Sequence, residues 1–234
     1  MITLYTLNQS RSQRIAWLLE ELGVAYKAVI FERDSQTKLA PEDLKQIHPL
    51  GKAPIITDDN AGELTTIAES GAIVEYLIDT YGQGKLKPAK HTQDYTDYLQ
   101  WIHYAEGSLA FALIANMYAG DKFSAFCQSQ VGLQLGYVEQ HLAKQAKSGN
   151  AWFVGNALTG ADILMSFPLQ AARAHLPKHQ FPHIRRFVEQ VENHPSVLTA
   201  NDKIGNNELS IALFKGSDNN FYRSTIIVIV LSLD

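Results

Sequence analysis

Three short stretches hold the residues whose types and spacing could do chemistry. In Leu7-Asn8-Gln9-Ser10-Arg11-Ser12-Gln13-Arg14, two serines flank an arginine between an apolar run and the start of a helical pattern. A helix N-terminus carries about half a unit of positive charge and unpaired N–H groups, so it favours an anion such as a thiolate. Ser10 or Ser12 could donate an O–H bond to it, while Arg11 adds fixed positive charge. The same residues carry a plainer expectation, because Ser10-x-x-Gln13 has the spacing of a capping box. In His48-Pro49-Leu50-Gly51-Lys52-Ala53-Pro54-Ile55, Pro54 stands at a strand start, where its missing N–H removes no ladder bond. X–Pro bonds are cis in about 5–6% of cases. A cis Ala53–Pro54 bond would turn the Ala53 N–H and C=O outward, as an edge for a peptide-like ligand. Ala68-Glu69-Ser70-Gly71 reads first as another cap, with Ser70 closing the helix and Glu69 a solvated carboxylate. Together these two also suit an amino-acid head group, with the hydroxyl and helix N–H groups taking its carboxylate and Glu69 its ammonium.

Other constellations are weaker. His175, His179 and His183 fall at i, i+4 and i+8, but Pro177 and Pro182 interrupt that helix and argue against a metal site. Cys127, the single cysteine, sits on the apolar side of a predicted helix and reads as core rather than nucleophile. One cysteine excludes an intramolecular disulfide, a CxxC pair and a multi-thiolate metal site, and it fits a reducing, cytoplasmic setting. Neither GxGxxG nor P-loop wording occurs. The formal net charge of −4 supplies no basic field, so nucleic acid is not an expected partner. The start has no signal-peptide pattern. The apolar run 226–231 is far shorter than the roughly 20 residues of a membrane span, so no membrane is expected. Its β-branched residues read as a terminal strand or as an extension foreign to the native chain.

These stretches need elements to position them, and 234 residues leave room for one large domain or two modest ones. Residues 2–7, 25–31, 53–57 and 63–67 read as strands. Ile15, Leu18, Leu19 and Leu22 keep helical spacing up to Gly23, residues 41–47 form a short helix, and 71–81 a longer one. The order is β-α-β-α-β-β-α, an α/β unit over residues 1–82. A polar connector with glycines and Pro88 spans 83–92. From 93 to 204 only helical periods appear: one from Tyr95 to Leu113, one from Phe123 to Leu142, then 161–174 and 184–191, the last stopped by His194-Pro195. The tail, 205–234, has no clear structure, and 201–220 is rich in Asn and Gly. The fold class is therefore α/β followed by an all-α bundle.

In combination and order, these stretches resemble the glutathione S-transferase family over residues 1–200. The resemblance rests on Asn8-Gln9-Ser10-Arg11-Ser12, Gly51-Lys52-Ala53-Pro54-Ile55, Glu69-Ser70 and Leu158-Thr159-Gly160-Ala161-Asp162-Ile163. The last piece is similar to the family's helical N-capping box, with Thr159 capping, Asp162 reaching back, and Leu158 and Ile163 stapling the entry. Ser10 before Arg14 matches the serine-type branches, and the Asn-x-Ser-Arg-Ser wording resembles a bacterial and fungal subgroup. The resemblance implies a thioredoxin-like N-terminal domain, a helical C-terminal domain, a cytoplasmic homodimer and a role in detoxification. It makes Pro54 the family's cis-proline and Ala53 the backbone partner of the cysteinyl part of glutathione. Glu69 and Ser70 would hold the γ-glutamyl end, and Lys52, helped by His48 or Lys38, the glycyl carboxylate. Ser10, with Arg11 and Ser12 as close alternatives, would stabilise the thiolate. Glutathione would be the co-substrate, with no metal.

Free thiols have a pKa near 8.5, and reaching about 6.5 requires some 2.7 kcal/mol of thiolate stabilisation. One charge-assisted hydrogen bond contributes roughly 1.5–3 kcal/mol, so a hydroxyl and a helix terminus suffice in scale. The leading expectation is transfer of glutathione to small hydrophobic electrophiles. Glutathione-dependent disulfide or peroxide reduction, or a non-catalytic transferase-like binding module, are the alternatives. Phe111 and one or two of Tyr95, Tyr98, Trp101 and Tyr104 are candidates to line the electrophile pocket.

Overall fold

The computed structural model describes residues 1–37, 39–60, 62–174, 176 and 179–205. Lys38, His175, Pro177 and the tail from 206 onward lie outside them. The chain divides into two compact units. One comprises Met1–Lys90 and the stretch beginning at Val191, and the other runs from His91 to Gln190.

In the first unit, β1 (Ile2–Leu7) runs parallel to β2 (Tyr26–Phe31), in a register from Ile2↔Tyr26 to Leu7↔Phe31. A parallel pair needs a crossover, which α1 (Ser12–Glu21) supplies. β3 (Ile55–Asp58) pairs antiparallel with β1, and β4 (Thr65–Ala68) antiparallel with β3, so the sheet order is β2-β1-β3-β4. β3 starts at Ile55 rather than at Ala53, because Pro54 has no N–H for the ladder. α2 shrinks from the expected 41–47 to Leu44–Ile47; Leu44, Lys45 and Gln46 each donate to the carbonyl three residues back, a tighter turn anchored by the one buried side chain, Leu44. With α3 (Ser70–Tyr81), which packs on α1, the thioredoxin-like order expected from the sequence is complete.

Asp58 ends β3 buried. Its carboxylate accepts from Tyr76 Oη at 2.9 Å, from Tyr81 Oη and from the Asn60 N–H, tying α3 to the sheet. Burial alone would raise this carboxyl, but the Tyr81, Tyr76 and Asn60 bonds outweigh it and hold Asp58 below its ordinary value.

The first unit also contains a helix that the periodicity did not mark. The expected stop at His194-Pro195 is a start as well, since proline with its preset φ is favoured in the first helical turn, and α9 runs from Pro195 to Ile204. It packs along α1 and also touches β2, where Lys203 Nζ lies over the Tyr26 ring. Ser196 Oγ donates to Glu21 Oε2 at 2.7 Å, Lys203 Nζ lies 2.6 Å from Glu20 Oε1, Gln13 Nε2 donates to Asn201 Oδ1, and the His194 ring tilts against buried Trp17. Residues 195–204, expected in the helical half, thus belong with the sheet.

The second unit holds α4 (Gln93–Tyr104), a π-helical turn (Ala105–Ala110), α5 (Phe111–Tyr118), α6 (Asp121–Lys147), α7 (Gly160–Arg173) and most of α8 (Pro182–Glu192). Trp101 is buried at its centre, with ring centroids 4.5 Å from His141, 4.8 Å from Phe153 and 5.0 Å from Tyr104. Tyr98 is equally buried, so these two are packing and no pocket wall. The capping box at α7 forms as expected. The Thr159 N–H donates to Asp162 Oδ2 at 2.8 Å, and the Phe153 N–H to Asp162 Oδ1 at 2.7 Å.

Cys127 departs from expectation. It is only half-buried, and Phe123 and Phe126 beside it are 66% and 63% exposed. The buried residues of α6 begin at Val131, so its first turns, which pack beside α5, keep much of their apolar surface exposed among the described residues. No helix among the described residues is long and apolar enough to cross a membrane.

Candidate functional site

Strand register carries the candidate residues to one end of the sheet. Leu7 closes β1 beside Phe31, which closes β2; Tyr5 pairs with Ile55, which opens β3; and Ile55 pairs with Ala68, which closes β4. Ser10-Arg11-Ser12 after β1, Ala53-Pro54 before β3 and Glu69-Ser70 after β4 therefore leave the sheet at the same end. α1 and α3 both begin there, and each brings unpaired N–H groups and the positive end of its dipole.

The turn into α1 is built differently from the expected capping box. The helix starts at Ser12, Arg11 occupies the cap position without bonding the helix N–H groups through its side chain, and Gln13 reaches Asn201 instead of back to Ser10. Ser10 Oγ accepts the Ser12 N–H at 3.1 Å and lies 2.9 Å from Ser12 Oγ, which also accepts the Leu7 N–H at 3.5 Å. The two hydroxyls thus form one hydrogen-bonded pair over the first turn. Ser12 is 1% exposed and Ser10 7%, so Ser10 is the member nearer solvent, with half-buried Arg11 between them.

The Ala53–Pro54 bond is cis, with Pro54 buried and Ala53 just ahead of the paired part of β3. Gly51 has φ +56°, and a Cβ there would stand 2.6 Å from Lys45 Cγ, so this corner requires glycine. Lys52 is exposed. His48 ends α2, and its Nδ1 accepts the Leu50 N–H at 3.3 Å, which leaves Nε2 as the nitrogen able to reach outward. Lys38, the remaining basic candidate, lies outside the described residues.

Ser70 is the first residue of α3, not its cap. The cap position belongs to Glu69, whose carbonyl accepts the Ile73 N–H at 2.9 Å. Glu69 holds φ +73° and ψ 120°, a region rarely used by a residue with a side chain; such strain concentrates at ligand sites. Its side chain is exposed, while Ser70 is buried and its hydroxyl makes no hydrogen bond among the described residues.

Two family models match the chain, the glutathione S-transferase N-terminal domain over residues 10–80 and the C-terminal domain over residues 106–195. Glutathione S-transferase 3 of Schizosaccharomyces pombe is 31% identical over 231 residues, covering 90% of this chain and 91% of that protein. The chain belongs to the glutathione S-transferase family. A crystal structure of a glutathione S-transferase from Actinobacillus pleuropneumoniae superposes with a TM-score of 0.80 at 38% identity, covering 94% of this chain and 99% of that one. A glutathione transferase homologue from Lodderomyces elongisporus, solved with two glutathione molecules per subunit, shares the fold at a TM-score of 0.71 and 22% identity, covering 86% of this chain and 97% of that one.

In this member of the family, one further residue at the same end of the sheet escaped the sequence motifs. Arg33 follows β2, and parallel pairing brings the exit of β2 beside that of β1. Its backbone N–H donates to Asn8 Oδ1 at 3.1 Å, its Nε to the Asn8 carbonyl at 3.2 Å and its Nη2 to the Gln9 carbonyl at 3.1 Å. Burial and the nearby charge of Arg11 both push its guanidinium below the ordinary arginine range. Only the register of β1 with β2 could have disclosed it.

Proposed function

We propose that the chain is a glutathione transferase that ionises the glutathione thiol at the opening of α1 and delivers it to small hydrophobic electrophiles. The observation that carries this reading is the convergence, at one end of one sheet, of the Ser10–Ser12 hydroxyl pair, the cis Ala53–Pro54 corner and the strained Glu69 ahead of α3. Glutathione lies along that end. The Ala53 backbone pairs with its cysteinyl unit, as one peptide edge to another. Its γ-glutamyl carboxylate takes the Ser70 hydroxyl and the N–H groups of α3, and its ammonium takes the exposed Glu69. Lys52, helped by His48 Nε2 or by Lys38, neutralises the glycyl carboxylate.

The thiol then sits over α1. Ser10, the member nearer solvent, turns its O–H from Ser12 Oγ, the acceptor it has in the free protein, and donates it to the sulfur. The α1 terminus and Arg11 add positive field, and together these supply the roughly 2–3 kcal/mol that places the thiol near 6.5. The thiol proton leaves to solvent. The thiolate lone pair forms a C–S bond to the electrophilic carbon while the leaving group departs with its bonding pair. Binding both reactants supplies the proximity, and no covalent bond to the protein forms.

The active species is proposed as a homodimer. Phe123, Phe126, Leu133 and Tyr137 are exposed large apolar residues whose spacing puts them on one side of α6, and Phe111, Ile114 and Tyr118 line α5 in the same way. Retention on immobilised glutathione, followed by assays with an aryl halide, a peroxide and the mixed disulfide of glutathione with hydroxyethanethiol, tests the assignment. Binding with conjugation of the aryl halide is the expected result. Absence of binding, or turnover confined to the peroxide or disulfide, overturns it.

A further inference from the structure

We infer that Arg33 is a positioning residue for the thiolate, clamping the Asn8–Gln9 turn so that the mouth of α1 is held in the geometry that ionises sulfur. This rests on the reading of the Ser10 turn given above.

Four bonds hold this turn from the β2 side. Three come from Arg33, and the fourth is the Asn8 N–H donating to the Phe31 carbonyl at 3.1 Å. The guanidinium spans two successive carbonyls, a match for its planar fork that a lysine ammonium lacks. In a trans peptide the C=O and N–H point to opposite sides. Drawing the Asn8 and Gln9 carbonyls toward Arg33 therefore sends the N–H groups of Gln9 and Ser10 the other way. Gln9 sits at φ +51°, so the turn alternates hand in the manner of backbone nests that gather anions, and a residue with a side chain needs outside support to stay there. Arg33 provides that support and fixes where Ser10 begins.

The charge distribution agrees. Arg33 and Arg11 are held close enough to feel one another across the turn, an arrangement whose repulsion an anion at the mouth of α1 would relieve.

The test is the ionisation of bound glutathione in Arg33→Gln and Arg33→Lys, read by thiolate ultraviolet absorbance and by the pH profile of kcat with an aryl halide. Arg33→Gln should raise the apparent thiol pKa by about one unit and lower kcat about five- to tenfold at pH 6.5. The deficit should close to within about twofold at pH 9, with KM for glutathione moving less than about threefold. Arg33→Lys keeps the charge and loses the fork, and it should give roughly half that shift. If Arg33→Gln does not fold, a shift of about half a unit in Arg33→Lys supports the inference and an unchanged profile overturns it. A variant with lowered thermal stability but the wild-type profile shows a merely structural role and also overturns it. If wild-type protein binds no glutathione, or binds it without ionising the thiol, the functional reading itself fails. An unchanged Arg33 variant alongside an ionising wild type refutes the role of Arg33 alone.

Discussion

Replacing Ser10 with alanine removes a single oxygen from the mouth of α1. That oxygen accepts the Ser12 N–H at 3.1 Å and lies 2.9 Å from Ser12 Oγ, so the free protein loses about 1–3 kcal/mol of local hydrogen bonding and stays folded. With glutathione bound, the larger loss is a charge-assisted bond of about 1.5–3 kcal/mol to the sulfur. At 1.36 kcal/mol per unit, the thiol pKa should climb by about 1–2 units. Starting near 6.5, the ionised fraction at pH 6.5 then falls from about one half to between a tenth and a hundredth. Turnover at that pH should drop about 5- to 50-fold, and the deficit should shrink to roughly twofold by pH 9. The assay is kcat with an aryl halide across this range at saturating glutathione, paired with the glutathione dissociation constant, which should hardly move. An unchanged pH profile would transfer the role to Ser12 or Arg11. A loss by the same factor at every pH would refute ionisation as the contribution of Ser10.

Glu69→Ala should weaken glutathione binding about tenfold, through loss of the ammonium partner, while kcat at saturation holds; an unaltered dissociation constant sinks the assignment. Burial pushes the Asp162 carboxyl up to about 6, against bonds from Phe153 and Thr159 that favour its ionised form. Because the folded value lies above the unfolded one, its contribution is fully present below about pH 4 and is lost as pH rises through about 6. The stability difference between wild type and Asp162→Asn should fall by about 2 kcal/mol between pH 4 and pH 7 in urea titrations; a flat difference would contradict it. Phe126→Glu on α6 should lower the mass measured by light scattering from dimer to monomer, and an unaltered dimer excludes that face.

Much of the fold was legible because its signals are local. The helical period of Ile15, Leu18 and Leu19, the proline ahead of β3 and the Thr159–Asp162 capping box each act within one element, and the structure reproduces them. Where a residue had both a local and a distant partner, locality misled. Gln13 has capping-box spacing from Ser10, yet its amide bonds Asn201, because the packing of α9 on α1 brings that partner within reach. Pro195 was legible as an end and not as a beginning, since proline serves both purposes and only burial of Val197, Ala200 and Ile204 selects the second.

The candidate site divides in the same way. Sequence alone determined the chemical groups: hydroxyls, arginine, proline, glutamate and the helix starts that follow them, in an order specific enough to mark the family. Only the tertiary structure decided that these groups share one end of the sheet and that Ser10 takes the first N–H of α1 and pairs with the Ser12 hydroxyl, while Gln13 leaves the capping box open. It also brought Arg33, from a different strand, to grip the turn ahead of them. The physical reason is that strand register and interhelical packing are settled by burying apolar faces from distant parts of the chain, and no spacing within a short motif records which distant face will be met.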